Sequence, residues 1–405
     1  MDWLLTLCAG ATLAAWLFLL CWRGGFWRAN QRLPQHPAPI PIWPDVVAVI
    51  PARNEAAVIG CAVRSLLIQD YPAGFSLVLV DDHSNDGTAE VARAAAAELG
   101  HSNRLAIISS AALPAGWTGK MWAVKQGIDE ARRLGDTPYL LLTDADIEHE
   151  PRNLLRLVTL AETERLDLAS LMVRLHCRSL WECLLIPAFV FFFQLLYPFP
   201  LVNCRRSRVA AAAGGCMLVR RCELERAGGI EAIHDAIIDD CALAHLIKSQ
   251  QDDSGRRGAI WLGLAEDTRS LRPYDGLFDI WRMVARSAYT QLRHSPALLM
   301  GAMVPFALVF LGPSLLLALA ALTGAGLAAT MAGLAWIIMA LCYRPTTLLY
   351  QEPAYRTALL PFAAAFYLAM TFDSARLHWL GRGGAWKGRT SGGAVRAQPL
   401  QAAGD

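Results

Sequence analysis

Two carboxylates one residue apart, Asp144 and Asp146, follow directly on Tyr139-Leu-Leu-Leu-Thr143. A buried strand that ends this way delivers both acids to the edge of a sheet, where the chain turns outward. Acids there can hold a hard divalent cation, and the cation can hold a diphosphate. The plain alternative is a pair of turn or helix-cap acids. Other polar clusters bear on the choice. Pro51-Ala-Arg-Asn-Glu55 follows the apolar run Val46–Ile50, and Asp81-Asp-His-Ser-Asn-Asp-Gly87 follows Leu77–Val80. Lys120 opens a helical pattern at Gly116-Trp-Thr-Gly-Lys120, and Asp239–Asp240 open another. Singly, Glu55 is explained as a helix-cap acid, Lys120 as a solvated lysine and Asp239–Asp240 as partners of a helix dipole. Core packing does not require three of four strands to end in polar, mostly acidic clusters.

The elements that must position these residues alternate. Strands at 46–50, 77–80, 105–108 and 139–142 are separated by amphipathic helical patterns, which reads as a parallel α/β sheet. Ligands of such sheets bind at the carboxyl ends of the strands, where these clusters lie. A fifth strand is expected at 168–173 and a further one at 259–264. Gly214-Gly215 permits close backbone approach or forms a turn, and Asp279–Arg293 reads as a helix with basic residues at 282, 286 and 293.

The 405 residues are 55% hydrophobic, and the excess is concentrated in blocks. A net charge of +2 gives no global case for binding nucleic acid. The ten cysteines form no C-x-x-C pair and read as reduced thiols. Trp3–Trp22 is uncharged and long enough to cross a bilayer. Arg23, Arg28 and Arg32 follow it, so it reads as an uncleaved anchor with the next domain in the cytoplasm. Five prolines in 33–44 predict a stiff extended linker.

Cys183–Cys204 is also uncharged, but it holds Pro187, Pro198 and Pro200. If it crossed, Asp240 and Asp146 would lie on opposite sides of the membrane. It is therefore read as a helix in the interface or a re-entrant hairpin, with Arg205, Arg206 and Arg208 at the headgroups. Leu298–Tyr343 has room for two crossings with a turn near Thr323-Gly324, and Thr357–Phe372 is a further apolar stretch before a basic tail. One crossing at the N-terminus and three at the C-terminus would put that tail outside, against the positive-inside rule. Either the last segment lies in the interface or one of the other three does not cross. The expected organisation is an anchor at 1–23, a linker at 24–44, a catalytic domain at 45–295, membrane segments at 296–380 and a tail at 381–405.

In order and context, Pro51-Ala-Arg-Asn-Glu55, Asp81-Asp82 with Asp86-Gly87, Gly119-Lys120, Asp144-x-Asp146 and Asp239-Asp240 resemble the motifs of family 2 glycosyltransferases. The resemblance covers about residues 45–295. A narrower likeness, to the hopanoid-associated membrane-anchored branch, rests on four features. They are the anchor, Gly116-Trp-Thr-Gly-Lys-Met-Trp122, the helix ending Ala-Tyr-Thr-Gln-Leu-Arg293, and Trp-Lys-Gly-Arg389. The resemblance implies a GT-A (Rossmann-like) α/β fold, a nucleotide-diphosphate sugar donor, most often a uridine one, and Mg²⁺ or Mn²⁺. It implies donor contacts by Pro51, Arg53, Glu55, Asp81, Asp82, Lys120, Asp144 and Asp239, metal ligation by Asp144 and Asp146, and Asp240 as catalytic base. The family's Glu-Asp motif is Asp239-Asp240 here, which keeps the carboxylate. No clean Gln-x-x-Arg-Trp motif follows it. Arg282 and Arg286 are the nearest candidates, which favours a single transfer over polysaccharide synthesis.

Apolar segments on both sides of the domain imply a bilayer-bound enzyme of the bacterial inner membrane acting on a lipid, with a hopanoid as the narrower expectation. Ceramide, a carotenoid acid or a polyprenyl phosphate are rival acceptors. A non-catalytic nucleotide-sugar-binding scaffold is a rival of another class, against which the intact acids argue. A transporter is disfavoured by the lack of ionisable residues inside the C-terminal apolar block.

Overall fold

The computed structural model describes residues 2–251 and 255–380, with the backbone of the strand pair 385–386 and 389–390. The rest of the expected basic tail, with most of Trp-Lys-Gly-Arg389, lies outside the described residues. An eight-stranded sheet organises the catalytic half. Its strands are β1 (Val46–Ala52), β2 (Phe75–Asp81), β3 (Leu105–Ser109), β4 (Tyr139–Thr143), β5 (Ile147–Glu148), β6 (Leu168–Arg174), β7 (Cys216–Arg220) and β8 (Ile260–Ser270). The order is β3-β2-β1-β4-β7-β6-β8-β5. β3, β2, β1 and β4 are mutually parallel, as the alternating pattern predicts. β7 runs antiparallel to both β4 and β6, which makes the sheet mixed.

Every residue of β1 is buried, because helices cover both faces. Alternation with period two sorts its side chains. Val47 and Val49 face a core that includes Met121, Val124 and Ile128 of one helix, while Val46, Ala48 and Ile50 face a second core with Ile59, Val63 and Ala92. Those residues come from α2 (Ala56–Leu67), α3 (Thr88–Glu98) and α4 (Gly119–Leu134); α5 (Asn153–Thr163) adds Leu154 and Leu157 to the second core. Gly127 of α4 lies so close to β1 that a Cβ there would be 2.4 Å from Val49 Cγ1.

The helix α1 (Asp2–Trp22) precedes the sheet domain. After β6 come α6 (Leu180–Leu196) and α7 (Phe199–Asn203), then α8 (Arg221–Arg226) and α9 (Asp239–Ser249). The C-terminal half is α10 (Leu277–Gln291), α11 (Pro296–Phe310), α12 (Gly312–Thr323), α13 (Gly326–Leu349) and α14 (Leu360–Trp379). Among the described residues, three segments are long and apolar enough to cross a membrane: Asp2–Trp22, Gly326–Leu349 and Ala354–Trp379. α10 and α11 meet at a bend of 119°. The expected turn falls at Gly324, whose φ of +74° suits glycine. The stretch before it is divided into α11 and α12, with Pro313 in the first turn of α12.

One expectation is refined and one corrected. The expected stiff linker is fastened to the sheet domain at its start. Leu33 is buried, Leu264 N–H donates to Gln31 O at 2.8 Å, and Arg156 donates to the carbonyls of Leu33 and Pro34 at 2.9 and 3.0 Å. The apolar run after Cys183 does not lie on a surface. α6 buries Leu185, Ile186, Ala188, Val190 and Phe191, and Phe191 and Phe192 pack edge-on against Tyr343 and Tyr367. It is apolar all round because protein surrounds it.

Candidate active site

The carboxyl ends of β1 and β4, the Gly214-Gly215 loop before β7 and the start of α9 enclose one cavity of about 1010 Å³. Pro51, Glu55, Lys120, Asp144, Asp146, Asp239, Asp240 and Arg286 all line it. Eight of the expected site residues, from widely separated parts of the chain, therefore converge. Arg53, Asp81 and Asp82 do not line it; Asp81 ends β2, and Arg53 and Asp82 open the loops after β1 and β2. Arg53 Nη1 donates to Asp82 O at 2.5 Å, Asp82 is 1% exposed, and Asp81 Oδ1 accepts from Ser84 N–H at 3.1 Å. The loops after β1 and β2 interlock through Asn54 N–H to Ser84 Oγ and Glu55 N–H to Thr88 Oγ1.

Lys120 is the hub of the cavity floor. As the second residue of α4 it projects Nζ to 2.9 Å from Asp144 Oδ1 and 3.0 Å from Asp239 Oδ2. Burial works against its charge, but the two carboxylates outweigh that and hold its pKa above the ordinary lysine value. Asp240 is treated differently. Burial and the adjacent Asp239 push its pKa up to about 6, against the pull of Lys120 and of the backbone donors of Cys241 and Gly214. Those donors reach Oδ1 at 2.7 Å and Oδ2 at 2.9 Å and fix the carboxylate's orientation. A Cβ on Gly214 would stand 3.5 Å from both Asp240 Oδ2 and Lys120 Nζ, so the glycine keeps this corner open.

Asp146 lines the same cavity. The two-residue strand β5 pairs Ile147 with Ser270 of β8. That register brings Ser270 Oγ to 2.9 Å and Arg272 Nε to 3.3 Å from Asp146 Oδ2. Arg272 also pairs with Glu55 Oε1. Ser270 and Arg272 both line the cavity, and neither was singled out from the sequence. β8 extends six residues past the expected end at Leu264, and its last five residues are Glu266-Asp-Thr-Arg-Ser270. A strand without an apolar pattern leaves no periodic signal.

A buried chain beneath the Asp144–Asp146 turn joins its two ends. Asn153 Nδ2 donates to His149 Nδ1 at 3.0 Å, which leaves the proton on Nε2, 2.9 Å from Thr143 Oγ1. Thr143 in turn donates to Gly215 O at 2.8 Å, beside the loop that holds Asp240. Burial drives the His149 pKa down to about 3, so the ring is neutral and structural. A second buried anchor, Glu182, accepts from the backbone N–H groups of Arg178, Ser179 and Tyr274 and from His176 Nδ1, all within 3.0 Å. Burial opposes its ionisation, but these donors prevail and hold its pKa at about 2. It fixes Tyr274, two residues beyond Arg272, in the cavity wall.

Apolar side chains share the lining. Phe189 and Phe193 of α6, Trp281 and Met283 of α10, and Leu377 of α14 line the same cavity. Arg286 lines it with no ion-pair partner among the described residues, while the exposed Arg282 lies 4.0 Å from Asp279.

The acid set fits a hard divalent ion. Asp144 and Asp146 present oxygen donors at one rim, and two carboxylates are the few protein ligands that Mg²⁺ or Mn²⁺ uses when phosphates and water complete its shell.

Residues 47–226 match the family model described as Glycosyl transferase family 2, a stretch that runs from β1 to the end of α8. No curated protein matches the chain. Among solved structures, the mannosyltransferase PcManGT from Pyrobaculum calidifontis, in complex with GDP-Man and Mn²⁺, superposes with a TM-score of 0.51. It is 19% identical and covers 91% of this chain and 98% of that one. The glucosyl-3-phosphoglycerate synthase from Mycobacterium tuberculosis, with phosphoglyceric acid, is 16% identical over 62% of this chain and 79% of its own, with a TM-score of 0.38. S. aureus TarS 1–349 with UDP is 16% identical over 61% and 65%, with a TM-score of 0.36. Residues 47–226 thus resemble family 2 glycosyltransferases, and the chain shares with the mannosyltransferase a GT-A-like α/β fold with a mixed sheet.

Proposed function

We propose that the protein is a membrane-bound inverting glycosyltransferase that moves one sugar from a nucleotide-diphosphate sugar to a hydroxyl of a membrane lipid. The observation that carries this reading is one cavity with a mixed lining: carboxylates and Lys120 share it with Phe189 and Phe193 of α6, Trp281 and Met283 of α10 and Leu377 of α14.

In this reading Asp240 takes the acceptor's proton. Its oxygens are each held by one backbone N–H, so each keeps a lone pair for the incoming hydroxyl. With a pKa of about 6, the carboxylate is ionised at neutral pH yet basic enough to accept a proton. The acceptor oxygen bonds to the anomeric carbon as the bond from that carbon to the diphosphate oxygen breaks. Lys120 and Arg272 keep the acid rim from repelling the diphosphate, and Glu55 with the neighbouring Arg53, Asp81 and Asp82 faces the nucleoside end. Asp144 and Asp146 would hold a Mg²⁺ or Mn²⁺ ion, which when bound would supply positive charge to offset that of the diphosphate. The donor class is supported by the family 2 match and by the mannosyltransferase complexed with GDP-Man and Mn²⁺. The likeness to the hopanoid-associated branch makes a hydroxylated hopanoid the first acceptor to try. The cytoplasmic face of a bacterial inner membrane is the site of action this reading implies.

The test incubates purified protein in bilayers with UDP- and GDP-sugars, membrane lipid extract and Mn²⁺, and weighs the new lipid. A product heavier by one sugar residue is expected. Efficient transfer to a soluble sugar, with none to lipid, would overturn the acceptor assignment.

A further inference from the structure

We infer that α14 does not cross the bilayer: it is the return limb of a re-entrant hairpin, so the described residues cross three times and the carboxyl end of α14 at Trp379 lies on the side of the catalytic domain. This rests on the membrane residence proposed above. By length and composition alone, Ala354–Trp379 qualifies as a crossing. Its contacts say otherwise.

Both ends of the segment touch the catalytic half. At its start, the carboxyl end of α13 abuts the loop after β6. Leu175 N–H donates to Tyr350 Oη at 3.3 Å, and Cys177 Sγ is 3.6 Å from Glu352 Oε1. At its finish, Asp373 and Leu377 line the catalytic cavity. Asp373 Oδ2 accepts from Trp281 Nε1 at 2.8 Å, and Ser374 Oγ accepts from Tyr289 N–H at 3.0 Å. Trp281 and Tyr289 belong to α10, whose Trp281, Met283 and Arg286 line the catalytic cavity.

Between the ends, the depth is limited. Trp336 Nε1 donates to Ala358 O at 3.3 Å. Trp336 lies eight residues before Arg344 on α13, about 12 Å along a helix axis. The chain dips to that level, passes Pro361 and comes back. On the way, Tyr367 Oη donates to Leu185 O of α6 at 2.9 Å. The remote end of the bundle is built from other elements: Leu5 and Ala9 of α1 pack there on Ala320, Ala325 and Ala328. No residue of α14 joins that cluster.

Charge placement agrees. With α1, α11–α12 and α13 as the crossings, Arg23 and Arg28 after α1, Arg344 near the end of α13 and Arg376 near the end of α14 share one side, as the positive-inside rule favours. Arg356, at the mouth of the dip, is neutralised by Glu352 at 2.7 Å, as a charge near hydrocarbon requires. The conflict between crossing number and basic tail disappears. The hairpin's return limb is then the membrane-side wall of the acceptor end of the cavity.

The test uses the full chain in bacterial cells with a reporter fused after residue 405, either green fluorescent protein or alkaline phosphatase. A second readout is Leu322→Cys, whose position next to the α12–α13 turn is 85% exposed. A membrane-impermeant maleimide is applied to intact cells, with the parent chain as blank. The expected result is bright fluorescence, phosphatase activity at background, and labelling of Leu322→Cys above the parent. Active phosphatase with dark fluorescent protein, while Leu322→Cys is still labelled, would overturn the hairpin. Recovery of the fluorescent chain in the soluble fraction after a carbonate wash would instead remove the membrane reading itself.

Discussion

The backbone N–H of Gly214 donates to Asp240 Oδ2 at 2.9 Å, so the base is aimed by the loop that opens β7 and not by α9 alone. Asp240→Asn keeps the shape and loses the proton acceptor. Its turnover should fall about 10²–10⁴-fold with little change in donor affinity. Single-turnover rates and donor binding, measured together, check this; an unchanged rate would revive a non-catalytic role.

The pKa of about 6 at Asp240 sets a pH profile. A general base works ionised, so kcat/KM should rise with pH through about 6 and then level off. Lys120 lowers that pKa, while burial and Asp239 raise it. Lys120→Gln should therefore move the rising limb to higher pH, besides weakening donor binding about tenfold or more through the lost charge-assisted contacts. A rising limb that stays in place would detach Asp240 from the proton transfer.

Arg272 contacts Glu55 and Asp146, two acids that one planar guanidinium can serve together. Arg272→Lys should reach only one of them and raise the donor KM about tenfold, with Arg272→Ala worse. The side chain is 42% exposed, so unfolding midpoints of both variants should stay close to the parent's.

His149 is held neutral in the folded chain, with its pKa lowered by burial to about 3. Unfolded, it binds a proton near its ordinary value of about 6.5. Between those values the unfolded state holds more protons, so this site's contribution to stability is intact above about 6.5 and is lost as the pH falls toward 3. His149→Leu should remove that slope. It should also cost about 1–3 kcal/mol at neutral pH by stranding the amide of Asn153. Thermal unfolding across this pH range gives both numbers.

Chelation should abolish transfer, and Mn²⁺ or Mg²⁺ should restore it. Asp146→Asn should raise the metal concentration needed for half-maximal rate, while leaving the fold intact by circular dichroism. Metal-independent transfer would remove the ion from Asp144 and Asp146.

Much of this site was legible because it is built at strand ends. The runs before Pro51, Asp81 and Asp144 are apolar and short, the polar clusters follow them at once, and a parallel sheet gathers such ends. What stayed hidden was made by tertiary pairing. Ser270 and Arg272 reach Asp146 through a two-residue strand that no pattern announces. His149 and Glu182 look in sequence like isolated polar residues; their near neighbours Thr143, Asn153, His176 and Ser179 carry no pattern, and the links onward to Gly215 and Tyr274 span the fold. The run after Cys183 misled for a different reason: a helix walled in by protein and one bathed in lipid share a composition.

The stitching of residues 31–34 to β8 and α5 has a mechanical meaning. On the proposed membrane residence of α1, this fastening would keep the reaction centre from swinging on a tether or climbing away from the surface. It would then operate at one altitude, and a lipid acceptor would have to present its hydroxyl there.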